Sequence, residues 1–331
     1  MNELLLGIES SCDETAAAVG RGGSEILSAV VRSQIDEPAV YGGVVPEIAG
    51  RSHLRAIMPV VDQALAVAGI DLEDLDGVAV TSRPGLIGSL LVGLSVAKAL
   101  AYARGLPLLT VDHIEAHVHS GTMERSADGG PYPCAALVVS GGHTALYRVA
   151  SPLEMELVAT TLDDAAGEAF DKVAWMLGLP YPGGPAIARL ALEGDPRRFD
   201  FPRCKVKAGK GTAPPFSFSG LKTAVLYHLR GQNALAPTPA AEGIPDRADV
   251  AASFQEAVVD SLIQPTLAAA LELGLDQVLV VGGVACNQRL RERMTDAGRA
   301  AGLAVRFPSP AYCTDNAAMI AGLGWHLLRA G

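Results

Sequence analysis

The chain opens with a short apolar run, "ELLLGI", then a polar turn, "ESSCDET", a second apolar run, "AAAVG", and a third, "EILSAVVRSQ", beyond Gly22 and Gly23. Apolar runs of this length between polar or glycine turns predict three strands joined by tight turns. From residue 47 to 68 the apolar spacing becomes helical, with Pro59 inside the pattern as a kink point. "DGVAVTSRPG" predicts a strand ending in a proline-glycine loop, "LIGSLLVGLSVAKALAYARG" a helix stopped by Gly105, and "LPLLTVDH" another buried strand. "CAALVVSGGHTALYRVA" reads as strand, polar turn, strand. Helices are expected at about 165–178, 185–193, 219–230, 249–272, 287–301 and 315–330, with "DQVLVVGG" and "LAVRFPS" as strands between the last three.

The two halves share a βββ-αβα order, and each carries a strand, a small polar loop and Thr-Ala (Thr15-Ala16 and Thr144-Ala145). The expected fold is a duplicated α/β architecture with an interlobe cleft, ligands binding near the carboxyl ends of the strands. The N-terminal lobe is expected over 1–112, with a C-terminal helix at 315–331 packing on it. The C-terminal lobe is expected over 113–314, with helical and basic insertions within 160–248.

A net charge of −10 argues against indiscriminate polyanion binding, so any nucleic-acid partner must meet a local basic patch. One such cluster exists: Arg197, Arg198, Arg203, Lys205, Lys207 and Lys210 against Asp195 and Asp200. "MNELLLGIES" has no basic leader, no stretch of about 18 unbroken apolar residues occurs, and the five cysteines form no CxxC. A cytoplasmic protein with reduced thiols and no membrane span is expected.

"VDHIEAHVHS" holds the strongest chemical signal. On a helix His113 and His117 share a face, while Glu115 and His119 lie about 200° and 240° away from His113. A zincin requires His-Glu-x-x-His, and here Ile114 stands where its glutamate would be, so the peptidase reading is poor. A third ligand is offered by Asp315 at the start of the last helix. Two imidazoles and a carboxylate with open positions suit Fe(II), with Zn(II) also accommodated. The plainer use of these residues is a pair of ordinary helical histidines and an acid favourable to a helix N-terminus.

Several loops could grip a nucleotide. Ser140, Gly141 and Gly142 in "VVSGGHTA" follow a buried strand and could aim backbone N–H groups at an anion. Gly282-Gly283 and Asn287 open another helix, Gly183-Gly184 a third, and Asp171 could accept from ribose hydroxyls. "ESSCDET" could be a matching loop, with Ser10, Ser11 and Thr15 as hydroxyl donors. Its acids, Glu9, Asp13 and Glu14, could hold a metal, orient a lysine or position an acceptor. A hairpin turn or a capped helix accounts equally well for each loop alone.

Taken in order, "GIESSCDETAAAV", "DHIEAHVHS", "LVVSGGHTALY", "GEAFDKVA", "YPGGPAIARLA", "FSFSGLKTAV", "GGVACNQRLR" and "CTDNAAMIA" resemble the tRNA N6-adenosine threonylcarbamoyltransferase family, formerly labelled O-sialoglycoprotein endopeptidase. The resemblance runs over nearly the whole chain. It implies ribonuclease-H-like lobes of the actin, hexokinase and Hsp70 type. It also implies transfer of a threonylcarbamoyl group from threonylcarbamoyl-AMP to N6 of the adenosine 3′ of the anticodon, in tRNAs reading ANN codons, with release of AMP. Carried over by motif, His113, His117 and Asp315 would bind one divalent metal, usually iron, with zinc or magnesium as other occupants. Val139, Ser140, Gly141, Gly142 and His143 would line the donor site, and Asp171, Gly184 and Asn287 would contact its nucleotide portion; ATP, ADP or AMP would also bind there. Bacterial relatives work with a paralogous subunit and a P-loop ATPase, and residues 82–101 could pair with the paralogue. "ESSCDET" stands where the family has "ETSCDET", and Ala188 stands where members commonly carry an acid.

The expected chemistry has the metal polarising a carbamoyl or phosphate oxygen, the Ser140-Gly141-Gly142 amides stabilising negative charge, and Glu9 or Asp13 taking the amine proton. The alternatives are a nucleotide-binding regulatory module of the same superfamily and a metallopeptidase using Glu115.

Overall fold

A computed structural model of the chain describes residues 2–34, 45–123, 131–203, 215–231 and 243–331. In chain order it contains β1 (Leu4–Glu9), β2 (Glu14–Arg21), β3 (Glu25–Ser33), α1 (Pro46–Ala68), β4 (Gly77–Arg83), α2 (Ile87–Arg104), β5 (Leu108–Asp112) and α3 (His113–Met123). Then come β6 (Cys134–Val139), β7 (Thr144–Ser151), β8 (Glu154–Thr160), α4 (Ala166–Met176), α5 (Gly183–Ala191), α6 (Ser219–Arg230), α7 (Arg247–Glu272), β9 (Gln277–Val281), α8 (Gln288–Ala300), β10 (Ala304–Arg306), α9 (Pro310–Cys313) and α10 (Ala317–Ala330). These form two compact units: Met1–Gly130 with Ser151–Met155 and Pro308–Gly331, and Pro131–Ala150 with Glu156–Phe307.

Both sheets follow one plan. The first runs β3-β2-β1-β4-β5 and the second β8-β7-β6-β9-β10. In each, the first strand pairs antiparallel with its hairpin neighbour and parallel with the strand that follows a helix. This is the repeated α/β order read from the sequence. β8 was not among the expected strands. Its sequence, "EMELVAT", buries only Ala159 fully, so its apolar signal is weak.

In the first unit the pleat sends alternate residues to opposite faces. Leu6, Ile8, Ala17 and Val19 pack with α1 and α2 through Ile57, Val61, Val92 and Ala97. Leu5, Ala16, Ala18 and Ala79 pack with α3 and α10 through Ala116, Met123, Ala318 and Ile320. Both faces are covered, which is why the strands read as unbroken apolar runs. α10 sits close because Gly7 has no side chain; a Cβ there would come within 2.6 Å of the Ala321 amide nitrogen.

The expected boundary at 112/113 is therefore corrected. α3 belongs to the first unit, because Ala116, Val118 and Met123 are buried, and Ala116 and Met123 share an apolar core with α10. Among the described residues α2 is the one helix long and apolar enough to cross a membrane by length and composition. Here it lies on the sheet, with Ser89, Val92, Gly93, Ala97 and Ala101 buried.

The second unit is built around α7, buried almost continuously from Val250 to Ala270 as expected of a helix that is apolar on most sides. Phe254 on α7 meets Phe170 on α4 edge to face, with ring centroids 5.3 Å apart.

Candidate active site

α3 starts where β5 ends, and Asp112 fixes its first turn by accepting from the amides of Ile114 at 2.8 Å and Glu115 at 3.3 Å. His113 and His117, one turn apart, project together with their rings edge-on at 4.6 Å. Asp315 meets them from the loop before α10. Its Oδ1 lies 3.0 Å from His117 Nε2 and 3.5 Å from His113 Nε2. Asn316 holds that loop: Oδ1 accepts from the Met319 amide at 3.0 Å and Nδ2 donates to the Thr314 carbonyl at 2.8 Å. The ligand atoms of His113, His117 and Asp315 lie within 4.8 Å of one another.

A buried carboxylate backs the site. Glu9, fully inaccessible to solvent, places Oε2 3.0 Å from His113 Nδ1. The same oxygen accepts from Thr81 Oγ1 at 2.5 Å, and Oε1 accepts from the Ser11 amide at 2.5 Å. Ser11 Oγ is also 3.2 Å from His113 Nδ1. Burial works against a charged His113, but Asp315 and Glu9 outweigh it and hold the imidazole up at about 9. For Glu9, burial works against the charge and His113 overcomes it, so the carboxyl lies below its usual range. A carboxylate on Nδ1 of one imidazole, with both Nε2 atoms and a second carboxylate meeting opposite it, is an arrangement that could hold a metal ion.

The other polar residues of "VDHIEAHVHS" do something else. His119 is buried against His326, rings 5.0 Å apart, and burial together with His326 lowers its pKa to about 3. Glu115 is half-buried, with Asp112 and Arg83 as its electrostatic neighbours. On the helix Glu115 lies about 200° round from His113, away from the face that the two histidines share.

In the second unit, Val139 ends β6 and the Ser140–His143 turn leads to β7. The Ser140 amide donates to the His143 carbonyl at 2.8 Å, and the His143 amide to Ser140 Oγ at 3.2 Å. The start of α4 is laid against this turn: the Gly167 amide donates to the Ser140 carbonyl at 3.2 Å, and a Cβ on Gly167 would stand 2.6 Å from that oxygen. Gly282, with φ at 94°, passes so close to Val139 that a Cβ would meet its carbonyl carbon at 2.9 Å. Asp171 Oδ1 accepts from the Gly183 amide at 2.7 Å, tying α4 to α5. Asn287 caps α8 through Leu290 at 3.0 Å and donates to Gln255 at 2.8 Å. Gly141, Gly142, Gly184 and Gly283 face open space where a Cβ would stand, so no internal packing demands glycine at these four places. Bare backbone at a strand-to-helix junction suits a phosphate or sugar.

The family model of tRNA N6-adenosine threonylcarbamoyltransferase (TsaD) matches residues 25–322. A relative of that name from Geobacter sulfurreducens is 54% identical over 331 residues, covering 99% of this chain and 93% of that protein. Another, from Syntrophotalea carbinolica, is 52% identical over 328 residues, covering 99% and 92%. The chain belongs to this family. Among solved structures, HypF from T. kodakarensis aligns with a TM-score of 0.65 at 15% identity, over 99% of this chain and 48% of that one. The ROK hexokinase of Thermus thermophilus aligns with a TM-score of 0.57 at 14% identity, over 99% and 100%. At these identities the likeness concerns the fold, and it bears out the actin- and hexokinase-like architecture.

Within this member of the threonylcarbamoyltransferase family, two expectations need correction. Glu9 does not fit the part of a base, because it is buried and both its oxygens are engaged; it positions His113. "ESSCDET" is not an anion loop matching the Ser140 turn. Ser10 Oγ donates to the Ser89 carbonyl at 3.0 Å, Ser11 serves His113, and Thr15 Oγ1 sits 2.7 Å from His53 Nδ1. Asp13 remains half-buried beside Glu14, whose carboxyl is pushed up to about 9 by burial, then by Asp13 and Asp315. Of the basic cluster, Lys205, Lys207 and Lys210 lie outside the described residues. Thr81 carried no sequence signal; it follows the apolar run Val78–Val80 near the end of its strand.

Proposed function

We propose that this chain transfers the threonylcarbamoyl group of threonylcarbamoyl-AMP to N6 of the adenosine 3′ of the anticodon, in tRNAs reading ANN codons, releasing AMP. The observation that carries this reading is the meeting of His113, His117 and Asp315 within 4.8 Å, in a chain 52–54% identical to proteins named for that transfer. His113 and His117 would hold a divalent ion through Nε2 and Asp315 through its carboxylate, with Fe(II) favoured by this donor set over Zn(II) or Mg(II). A bound ion supplies Lewis acidity toward a carbamoyl or phosphoryl oxygen.

The chain's own groups supply the rest. Glu9, Thr81 and Ser11 hold the His113 ring in one orientation. Backbone amides of Gly141 and Gly142, at the tip of the Ser140–His143 turn, hold the adenylate phosphate and stabilise charge as it develops. Val139, Asp171, Gly184 and Asn287 line the nucleotide portion, and ATP, ADP or AMP compete there. In the transfer, the N6 lone pair bonds to the carbamoyl carbon, the bond from that carbon to the phosphate oxygen breaks, AMP leaves with the electron pair, and N6 gives up a proton. Asp13 is the remaining candidate to receive it.

tRNA is the macromolecular substrate. Leu54 and Met58 on α1 and Ile87 and Leu91 on α2 are exposed, which supports pairing of these helices with a paralogous subunit. A P-loop ATPase is the further partner, and the cytoplasm is where such substrates meet. The test is to incubate the chain with threonylcarbamoyl-AMP and unmodified tRNA, with and without partners and chelator, and to weigh the nucleosides. Threonylcarbamoyladenosine formed only in chelator-free samples is expected; none under any condition rejects the proposal.

A further inference from the structure

In the second unit a cavity of about 380 Å³ is lined by Pro196, Arg197, Glu256, Arg289 and Arg293. Three guanidinium groups face one carboxylate there, in a chain whose net charge is −10. The arginines come from different elements: Arg197 from the segment after α5, and Arg289 and Arg293 from successive turns of α8.

The guanidinium groups are fixed from behind. Glu256 on α7, only 11% exposed at its side chain, takes Arg289 Nε at 2.7 Å and Nη2 at 3.1 Å, and also pairs with Arg293. Arg293 Nη2 reaches Asp260 at 2.9 Å, and Asp260 also receives Arg203 Nε at 3.2 Å. An arginine has five N–H donors in a rigid fork, so these pairings leave donors such as Arg289 Nη1 unengaged. Both side chains remain more than a third exposed, at 37% and 36%. Arg197 is exposed and forms no ion pair with another described residue. Buried Glu256 and half-buried Asp260 thus hold two forks still, and a third cation stands beside them. Rigid, forked donors of this kind match a phosphate's oxygens, because little rotamer entropy is lost on binding. The lining offers one small apolar residue, Pro196, and no aromatic ring, so nothing there would stack on a base.

We propose that this cleft holds a backbone phosphate of the tRNA, with Arg197, Arg289 and Arg293 as the contacting groups. It rests on the reading that the chain acts on tRNA, and places one docking point for that substrate on α8 and the segment after α5.

The test uses the full chain and two variants. Arg197→Ala removes the exposed cation. Glu256→Gln with Arg289→Gln removes a charge pair together and leaves an amide pair in its place. tRNA binding is measured by fluorescence anisotropy across a salt series, and AMP binding by calorimetry. Combining the substitutions is expected to weaken tRNA binding about tenfold and to flatten the salt dependence by about one unit per lost phosphate contact, with AMP binding unchanged. Unchanged tRNA affinity and slope would overturn the proposal while leaving the transfer reading intact. A loss of AMP binding with tRNA binding preserved would assign the cleft to a free nucleotide and overturn it likewise. Failure of the unaltered chain to bind tRNA, alone or with its partners, would remove both this proposal and the reading beneath it.

Discussion

Glu9 Oε2 and His113 Nδ1 lie 3.0 Å apart, and both side chains are buried. A carboxylate there holds the proton on Nδ1, so that the proton a metal would displace is the one on Nε2. In Glu9→Gln the amide can donate to Nδ1 instead, which favours the tautomer with Nε2 protonated. Loss of such a supporting carboxylate typically lowers metal affinity about 10- to 100-fold. A fall of that size in a calorimetric Fe(II) or Zn(II) titration is expected, with circular dichroism unchanged. Equal affinity in both proteins would mean that Glu9 supports the fold and not the ion.

Asp315 gives a second test. Its side chain is 22% exposed, so Asp315→Ala leaves no deeply buried gap. Binding to the folded state alone stabilises by about 2.7 kcal/mol when the ligand is at 100 times its Kd. Added metal should therefore raise the melting temperature of the unaltered chain and not that of Asp315→Ala, and the variant should form no threonylcarbamoyladenosine. Metal stabilisation surviving in the variant would show that the histidines bind without it.

The candidate metal ligands were legible because helical periodicity places His113 and His117 on one face, a relation fixed within one helix turn. Asp315 was legible only as an acid at a helix start; no local rule says that α10 crosses β1 and carries it to α3. The alternation of strands and helices showed the duplicated plan, while β8 escaped because its positions are mostly exposed. Glu9 was read as an acid near the chemistry, but its role depends on Thr81 and Ser11 closing around it, contacts set by strand pairing and not by spacing. The cleft at Arg289 and Arg293 was hidden for the same reason: on the sequence they belong to an ordinary charged helix, and only α7 beneath them supplies Glu256 and Asp260.

Gly7 links the fold to the site. A Cβ at Gly7 would sit 2.6 Å from the Ala321 amide nitrogen, so Gly7→Ala must push α10 off the sheet. Overpacking of this kind costs about 1–3 kcal/mol. α10 also follows directly on Asp315, so metal affinity should fall together with stability. Urea unfolding and metal titration of the same sample check the coupling. A variant that loses stability yet binds metal normally would show that the Asp315 loop holds its place without α10.

Asp164 gives the pH dependence. It receives Lys172 Nζ at 2.9 Å and also pairs with Lys222 on α6, joining α4 to α6 beside the Ser217–Ser219 turn. Burial raises its pKa, but the two ammonium groups outweigh this and the carboxyl lies below its usual value. A group whose folded pKa is depressed contributes stability above its unfolded pKa, about 3.9 for aspartate, and loses it as pH falls through the folded value. Asp164→Asn should therefore cost about 1.5–3 kcal/mol at neutral pH, the range for hydrogen bonds to a charged group. The gap between variant and unaltered chain should narrow as pH falls below about 4. Chemical denaturation at pH 7 and pH 3 measures both ends. A gap that is as wide at pH 3 as at pH 7 would mean that shape, and not charge, makes Asp164 matter.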